Sequence, residues 1–157
     1  MEKVGKFKKI DKDKFIREGD YDNIKLPVRQ TKGSAGYDFY APYSFSIEPG
    51  ARQEVHSGVK CKIKNGWVLT IHGRSSLGTK GIRLTTTVGI IDSDYYSNPT
   101  NDGEIHLGLW NTTDKMVSFK QGDRIAQGIF LPFGITENDE PLTQERVGGF
   151  GSTNKEN

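Results

Sequence analysis

Apolar and polar positions alternate along most of the chain in short runs, and Gly, Pro and Asn separate those runs. Phe45 and Ile47 alternate with Ser44 and Ser46 ahead of Pro49-Gly50. Val59-Lys60-Cys61-Lys62-Ile63-Lys64 and Trp67-Val68-Leu69-Thr70-Ile71 flank Asn65-Gly66, a pattern that predicts two strands joined by a type I′ hairpin. The same period faces Cys61 inward with Val59 and Ile63, as a small core hydrophobe. Ile24-Lys25-Leu26-Pro27-Val28 alternates too, but Pro27 has no N–H and consigns this strand to an edge or a bulge. Further runs follow at Gly89-Ile90-Ile91, at Ile105, Leu107 and Leu109, at Val117 and Phe119, and at Ile125, Ile129 and Leu131. No window of helical length carries a 3.6-residue apolar period. Short strands with Gly-rich turns at close spacing predict an all-β barrel or jelly roll.

The two ends differ from this middle. Residues 1–22 are polar and Lys-rich with Phe7, Ile10, Phe15 and Ile16 as apolar points, which predicts an N-terminal arm or a short edge strand. Residues 23–136 form the barrel. From Glu137 the alternation fades, and residues 137–157 read as a flexible Gly-rich tail. Phe150 stands in that tail among glycines, an exposed ring with no core of its own.

Composition narrows the function classes. A length of 157 residues suits one domain able to bury a core without disulfides. Only 33% of residues are hydrophobic and the mean hydropathy is −0.64, so sharing apolar surface between subunits would help stability. The net charge of +2 balances 22 basic against 20 acidic residues, which argues against nucleic-acid or membrane-surface binding and for a small-molecule partner. One cysteine permits no intrachain disulfide, and there is no signal peptide and no apolar run of membrane-spanning length. The expectation is a cytoplasmic, reducing setting.

Several stretches could carry chemistry. Asp92 follows Ile90-Ile91 directly, so it either ends a strand as a solvated turn residue or sits at a cavity edge to act on a water. Gly73-Arg74-Ser75-Ser76-Leu77-Gly78 offers N–H groups, two hydroxyls and a guanidinium, a set suited to phosphate oxygens, although a surface turn has the same composition. Ala35-Gly36-Tyr37-Asp38 presents a carboxylate beside a glycine, for an Asx turn or a hydrated Mg2+. In Gly122-Asp123-Arg124-Ile125-Ala126-Gln127, strand alternation puts Ile125 and Gln127 on one face and Arg124 on the other, with an Asp123–Arg124 bond as the plain reading. His56, His72 and His106 show no metal-ligand spacing.

Taken in order, the stretches at 35–38, 73–77, 89–95, 122–127 and 146–153 resemble the five motifs of the trimeric dUTPases, over residues 24–153. The resemblance implies a jelly-roll barrel, a homotrimer with three sites each built from three chains, and hydrolysis of dUTP to dUMP and pyrophosphate. That reaction limits uracil incorporation into DNA and supplies dUMP for thymidylate synthesis. It implies Asp92 as the base activating the water that attacks the α-phosphorus, and Tyr95 packed on the deoxyribose so that no 2′-hydroxyl fits. The hairpin residues Thr86, Gly89 and Ile91 would line the uracil slot. Asp38 would hold, through water, an Mg2+ bound mainly by the triphosphate, while Arg74, Ser75, Ser76 and Gln127 hold phosphates or their waters. In the tail, which would close over the site, Phe150 would stack on uracil beside Gly151, with Arg146, Ser152 and Thr153 on the γ-phosphate.

The chain departs from that family at Thr86, where Asn is usual, and in the long stretch Tyr96 to Glu104. One residue separates Arg146 from the glycine pair where many relatives have two, and Asn154 stands where a final Gly is common. Two rivals remain. A dCTP deaminase shares the Gly-Arg-Ser-Ser stretch but needs a glutamate at the position held here by Gly108. A nucleotide-sensing regulator would present the Ser97–Asp102 stretch or the basic arm to a protein partner.

Overall fold

The computed structural model describes residues 1–142 and 148–149. Among them the chain forms eleven strands: β1 (Gly5–Lys9), β2 (Tyr37–Tyr40), β3 (Phe45–Ile47), β4 (Arg52–His56), β5 (Val59–Ile63), β6 (Trp67–His72), β7 (Ile82–Leu84), β8 (Gly89–Ile91), β9 (His106–Asn111), β10 (Val117–Phe119) and β11 (Arg124–Pro132). Helix is confined to α1 (Ser75–Gly78) and three short 3-10 turns. The strands pair antiparallel in four small sheets, ordered β2–β11–β6–β8, β4–β9–β7, β1–β5 and β3–β10. This is the expected all-β architecture.

The inward positions of those sheets make one core. Phe39, Val55, Leu69, Ile105, Leu107, Leu109 and Ile125 are all but inaccessible, and Cys61 lies among them as its period requires. Burial pushes the Cys61 thiol up to about 12, so it is a packing group and no nucleophile. The β9 burial alternates without a break from His106 to Asn111.

Three local expectations change. The stretch at 1–22 takes the edge-strand alternative: β1 pairs with β5 in register from Gly5↔Ile63 to Lys9↔Val59, and Ile10, Phe15 and Ile24 enter the core. The strand expected at 24–28 shrinks to one bridge, Val28↔Asp38, because Pro27 cannot donate. The Asn65-Gly66 turn exists, with the Trp67 N–H on the Lys64 carbonyl at 3.1 Å, but it is no type I′ hairpin. Gly66 has φ +82° whereas Asn65 is not in the left-handed region, and type I′ requires both. The strands therefore diverge, β5 to pair with β1 and β6 with β11 and β8.

Alternation also exposes Lys60, yet the fold buries it. Its ammonium lies 2.6 Å from Asp102 Oδ2, with the two side chains 9% and 11% exposed. The same carboxylate oxygen accepts the Asp11 N–H at 2.9 Å, so the pair ties the N-terminal segment to the long loop before β9.

Candidate active site

Two separate groups of side chains collect the residues singled out in the sequence. The first surrounds a cleft of about 310 Å3 between the β7–β8 turn, β6 and the start of β9, lined by Ile71, Leu84, Thr86, Gly89, Ile91 and Tyr95 among others. That volume falls at the lower end for small-molecule sites. Gly89 allows a close approach, since a Cβ there would meet Ile71 Cβ at a tight 3.1 Å across the β6–β8 ladder. The turn itself is strained: Thr87, β-branched, has φ +63°. Such a conformation costs on the order of 1–3 kcal/mol and persists where surrounding structure holds a site in shape. β8 is the last strand of its sheet, so no strand of the described residues covers its outer backbone edge.

Tyr95 forms one wall, and the loop that made the sequence look unusual is what holds it. The Tyr95 hydroxyl donates to the Glu104 carbonyl and accepts from Asn101 Nδ2, both at 2.7 Å. Asn98, itself buried, donates to the Tyr95 carbonyl at 2.9 Å and to Asn101 Oδ1 at 2.8 Å. Asp102 closes the loop with φ +59°. The loop thus fixes the ring from behind. Asp92 lies between cleft-lining Ile91 and the 3-10 turn Ser93–Tyr95, half-buried, with its carbonyl accepting the Tyr95 N–H at 3.2 Å.

The second group lies at the opposite edge of the same sheet, around a cavity of about 570 Å3. Asp38 on β2 is buried, and each of its oxygens takes one guanidinium: Arg74 Nε donates to Oδ1 at 2.9 Å and Arg124 Nη1 to Oδ2 at 3.2 Å. Arg74 also donates to Ser76 Oγ at 3.2 Å. Ser75 and Ser76 are exposed on α1, which buried Leu77 anchors. Gln127 pairs directly opposite Asp38 and donates to the Gly73 carbonyl at 3.0 Å, so it braces the turn that carries Arg74. A Cβ on Gly36 would strike the Gln127 amide oxygen at 2.5 Å, which explains that glycine.

Arg124 was missed in the sequence because strict alternation opposes it to Gln127. A β-bulge between Arg124 and Ala126 shifts the register, buries both Ile125 and Ala126, and brings Arg124 to the Asp38 side. The plain Asp123–Arg124 bond does not form: Asp123 accepts the Lys120 N–H instead, at 2.8 Å.

The two groups share no lining residue. A third cleft of about 350 Å3, lined by Arg74, Ser75, Arg83 and Thr87 among others, lies between them. β8 and β2 are separated by β6 and β11, three strand spacings or roughly 14 Å at ~4.8 Å each. One chain therefore offers a base-sized slot with Asp92 at one edge and an arginine cluster at the other. Arg146, Phe150, Gly151, Ser152 and Thr153 lie outside the described residues. Gly149 is described, and it packs on its own chain's Tyr95, where an added Cβ would lie 2.6 Å from Cε2.

The histidine reading also changes. The fold brings His56 and His106, fifty positions apart, onto buried Glu104. Burial alone would raise the Glu104 carboxyl, but bonds from His106, His56 and the Gly58 N–H outweigh it and hold the carboxyl below its ordinary range.

Comparison with known proteins gives a consistent result. The family model described as dUTPase matches residues 22–154. The deoxyuridine 5′-triphosphate nucleotidohydrolase of Lactococcus lactis is 42% identical over 132 residues, covering 83% of this chain and 88% of that protein. The crystal structure of dUTPase from Streptococcus mutans superposes with a TM-score of 0.73 at 38% identity, over 84% of this chain and 98% of that one. A Staphylococcus bacteriophage 80alpha dUTPase, solved with dUPNHPP, shares the fold at TM-score 0.70 and 21% identity, over 96% and 98% of the two chains.

Proposed function

The chain belongs to the dUTPase family, and from that premise we propose how its residues convert dUTP and water to dUMP and pyrophosphate. The carrying observation is the pairing of a base-sized slot beside Asp92 with a separate arginine cluster. Uracil enters the slot against the open edge of β8, between Thr86, Gly89 and Ile91, where backbone groups meet its alternating acceptor, donor and acceptor atoms. Tyr95, braced by Asn101 and the Glu104 carbonyl, packs on the deoxyribose and leaves no space for a 2′-hydroxyl. Asp92 accepts the proton of the water that attacks the α-phosphorus, a contribution typically of ~10²–10⁴-fold.

The triphosphate lies along Arg74, Ser75, Ser76 and Arg124. Two guanidiniums around one carboxylate leave this cavity with an excess positive charge, which suits a polyanion whose hydrolysis needs positioning and charge neutralisation. Gln127 keeps Arg74 in place through Gly73. Both Asp38 oxygens already accept from arginines, so Asp38 suits a metal only through a metal-bound water, with Mg2+ arriving on the nucleotide. When bound, Mg2+ neutralises phosphate charge. The tail residues Arg146, Phe150, Gly151, Ser152 and Thr153 take the roles the family motif gives them, over the γ-phosphate and the base.

A homotrimer reconciles the two half-sites, because closed symmetry sets one surface of a chain against a different surface of its neighbour. The slot of one chain, with its own Gly149, would face the arginine cluster of the next. Deamination is not supported: Gly108 stands where the glutamate would be required, and a Cβ there would run into the Thr85 hydroxyl unless that side chain moved. No helix of the described residues is long and apolar enough to cross a membrane. Pyrophosphate release from dUTP, dTTP, dCTP and UTP with Mg2+ tests the reading. Turnover is expected with dUTP alone; comparable rates with dCTP would reject the slot assignment, since a mismatched polar edge is rejected strongly, and comparable rates with UTP would reject the placing of Tyr95 on the deoxyribose.

A further inference from the structure

Beside the nucleotide cleft, which Glu54 and His106 help to line, three side chains with metal-ligating atoms converge where β4 meets the start of β9. His56 Nδ1 lies 3.1 Å from Glu104 Oε2, and His106 Nε2 lies 2.9 Å from the same oxygen. One ligand atom from each residue can be chosen so that all lie within 4.8 Å of one another. Four-coordinate zinc with bonds of ~2.0–2.1 Å sets neighbouring ligand atoms roughly 3.3–3.4 Å apart, so the cluster needs only small side-chain adjustments to close on an ion.

The surroundings favour a built site. Glu104 Oε1 is occupied by the Gly58 N–H at 2.9 Å, which fixes the carboxylate with Oε2 turned to the histidines. Glu104 is 3% exposed, His106 13% and His56 23%, so the ligand atoms are sheltered. The opposite ring nitrogens face a second carboxylate: Glu54 Oε1 lies 3.3 Å from His106 Nδ1 and 3.8 Å from His56 Nε2. The carboxylate behind the His106 imidazole matches the outer-shell arrangement that sets ring orientation in metal sites.

We propose that His56, Glu104 and His106 form a binding site for a zinc-class divalent ion, with Glu54 orienting the His106 imidazole. Two nitrogens and one oxygen select Zn2+ or Co2+ over Mg2+, which prefers all-oxygen ligands and keeps its waters. The ion joins β4 to the segment whose Glu104 carbonyl accepts the Tyr95 hydroxyl, so it stiffens the support of the nucleotide slot without entering the reaction.

The test uses the untagged full-length protein, stripped with EDTA, reloaded with Zn2+ or Co2+ in the presence of excess Mg2+, and desalted. Expected are one Zn2+ retained per chain, tetrahedral Co2+ absorption bands, and a higher melting temperature with Zn2+. Glu54→Gln should bind Zn2+ about 10–100-fold more weakly, and His56→Gln should retain no stoichiometric metal. Glu54 is half exposed, so its variant serves if His56→Gln fails to fold. Zn2+ retention by the wild type no greater than by His56→Gln, a six-coordinate Co2+ spectrum, or unweakened binding in Glu54→Gln would each overturn the site.

Discussion

Asp38→Asn separates two jobs that the buried carboxylate could do. Arg74 is 19% exposed and bonds Asp38 at 2.9 Å, a charge-assisted contact whose loss removes about 1.5–3 kcal/mol. Arg124 bonds the other oxygen at 3.2 Å but is 43% exposed, so solvent screening leaves it under ~1 kcal/mol. If Asp38 works chiefly by holding Arg74 against the phosphates, the Arg74 share appears in the transition state as a fall in kcat/KM of roughly 10- to 150-fold. In a double-mutant cycle with Arg74→Ala, most of that loss should disappear, because the second substitution removes what the first had positioned. The assay is steady-state pyrophosphate release across a range of Mg2+ concentrations. Two results would refute the reasoning. Restoration of the Asp38→Asn rate by saturating Mg2+ would make the metal the main partner of Asp38, and simple addition of the two losses would show that Asp38 does not act through Arg74.

Three further outcomes follow from single contacts. Asp92→Asn keeps the shape of the side chain but cannot take the water's proton, so kcat should fall by about 10² or more while calorimetry still registers a non-hydrolysable dUTP analogue; lost binding would make Asp92 a structural turn residue. Lys60→Met leaves Asp102 buried without its cation and should cost about 3–5 kcal/mol in urea unfolding, whereas Lys64→Ala breaks an exposed pair with Glu2 and should cost under ~1 kcal/mol. The Cys61 thiol, pushed up to about 12 from 9.0, favours the fold fully below pH 9 and loses that contribution as pH rises towards 12; native protein should resist alkylation in mild alkali, and ready labelling without unfolding would contradict its burial.

The elements read from alternation survived where one face simply meets the core. Val59, Cys61 and Ile63 on β5 and Leu107 and Leu109 on β9 behave that way. What period two cannot encode is a change of register or partner. The bulge beside Ala126 turned Arg124 into an Asp38 ligand, and the absence of a left-handed Asn65 sent β5 and β6 to different sheets. Long-range convergence was equally hidden: His56 and His106 have no ligand spacing in sequence, and only the β4–β9 ladder, in which they pair directly, sets them side by side. Asn98 and Asn101 lie in the long stretch from Tyr96 to Glu104, where no alternation marks a role for them, yet their side chains hold Tyr95. Ordered motifs carried the family, because those within the described residues sit at or beside strand ends and turns whose composition is tied to their chemistry.

The central claim is that Asp92 of one chain works with the arginine cluster of another. Two inactive proteins test it, Asp92→Asn and Arg74→Ala, each unable to form a complete site alone. They are unfolded and refolded together in equal amounts, and mixed trimers are confirmed by native mass spectrometry. A shared site takes Asp92 from an Arg74→Ala chain and Arg74 from an Asp92→Asn chain, so random mixing should make about a quarter of the sites whole and restore dUTP hydrolysis to that fraction of wild type. Confirmed mixed trimers that stay inactive would show that both groups act within one chain, and the account of two half-sites would be wrong.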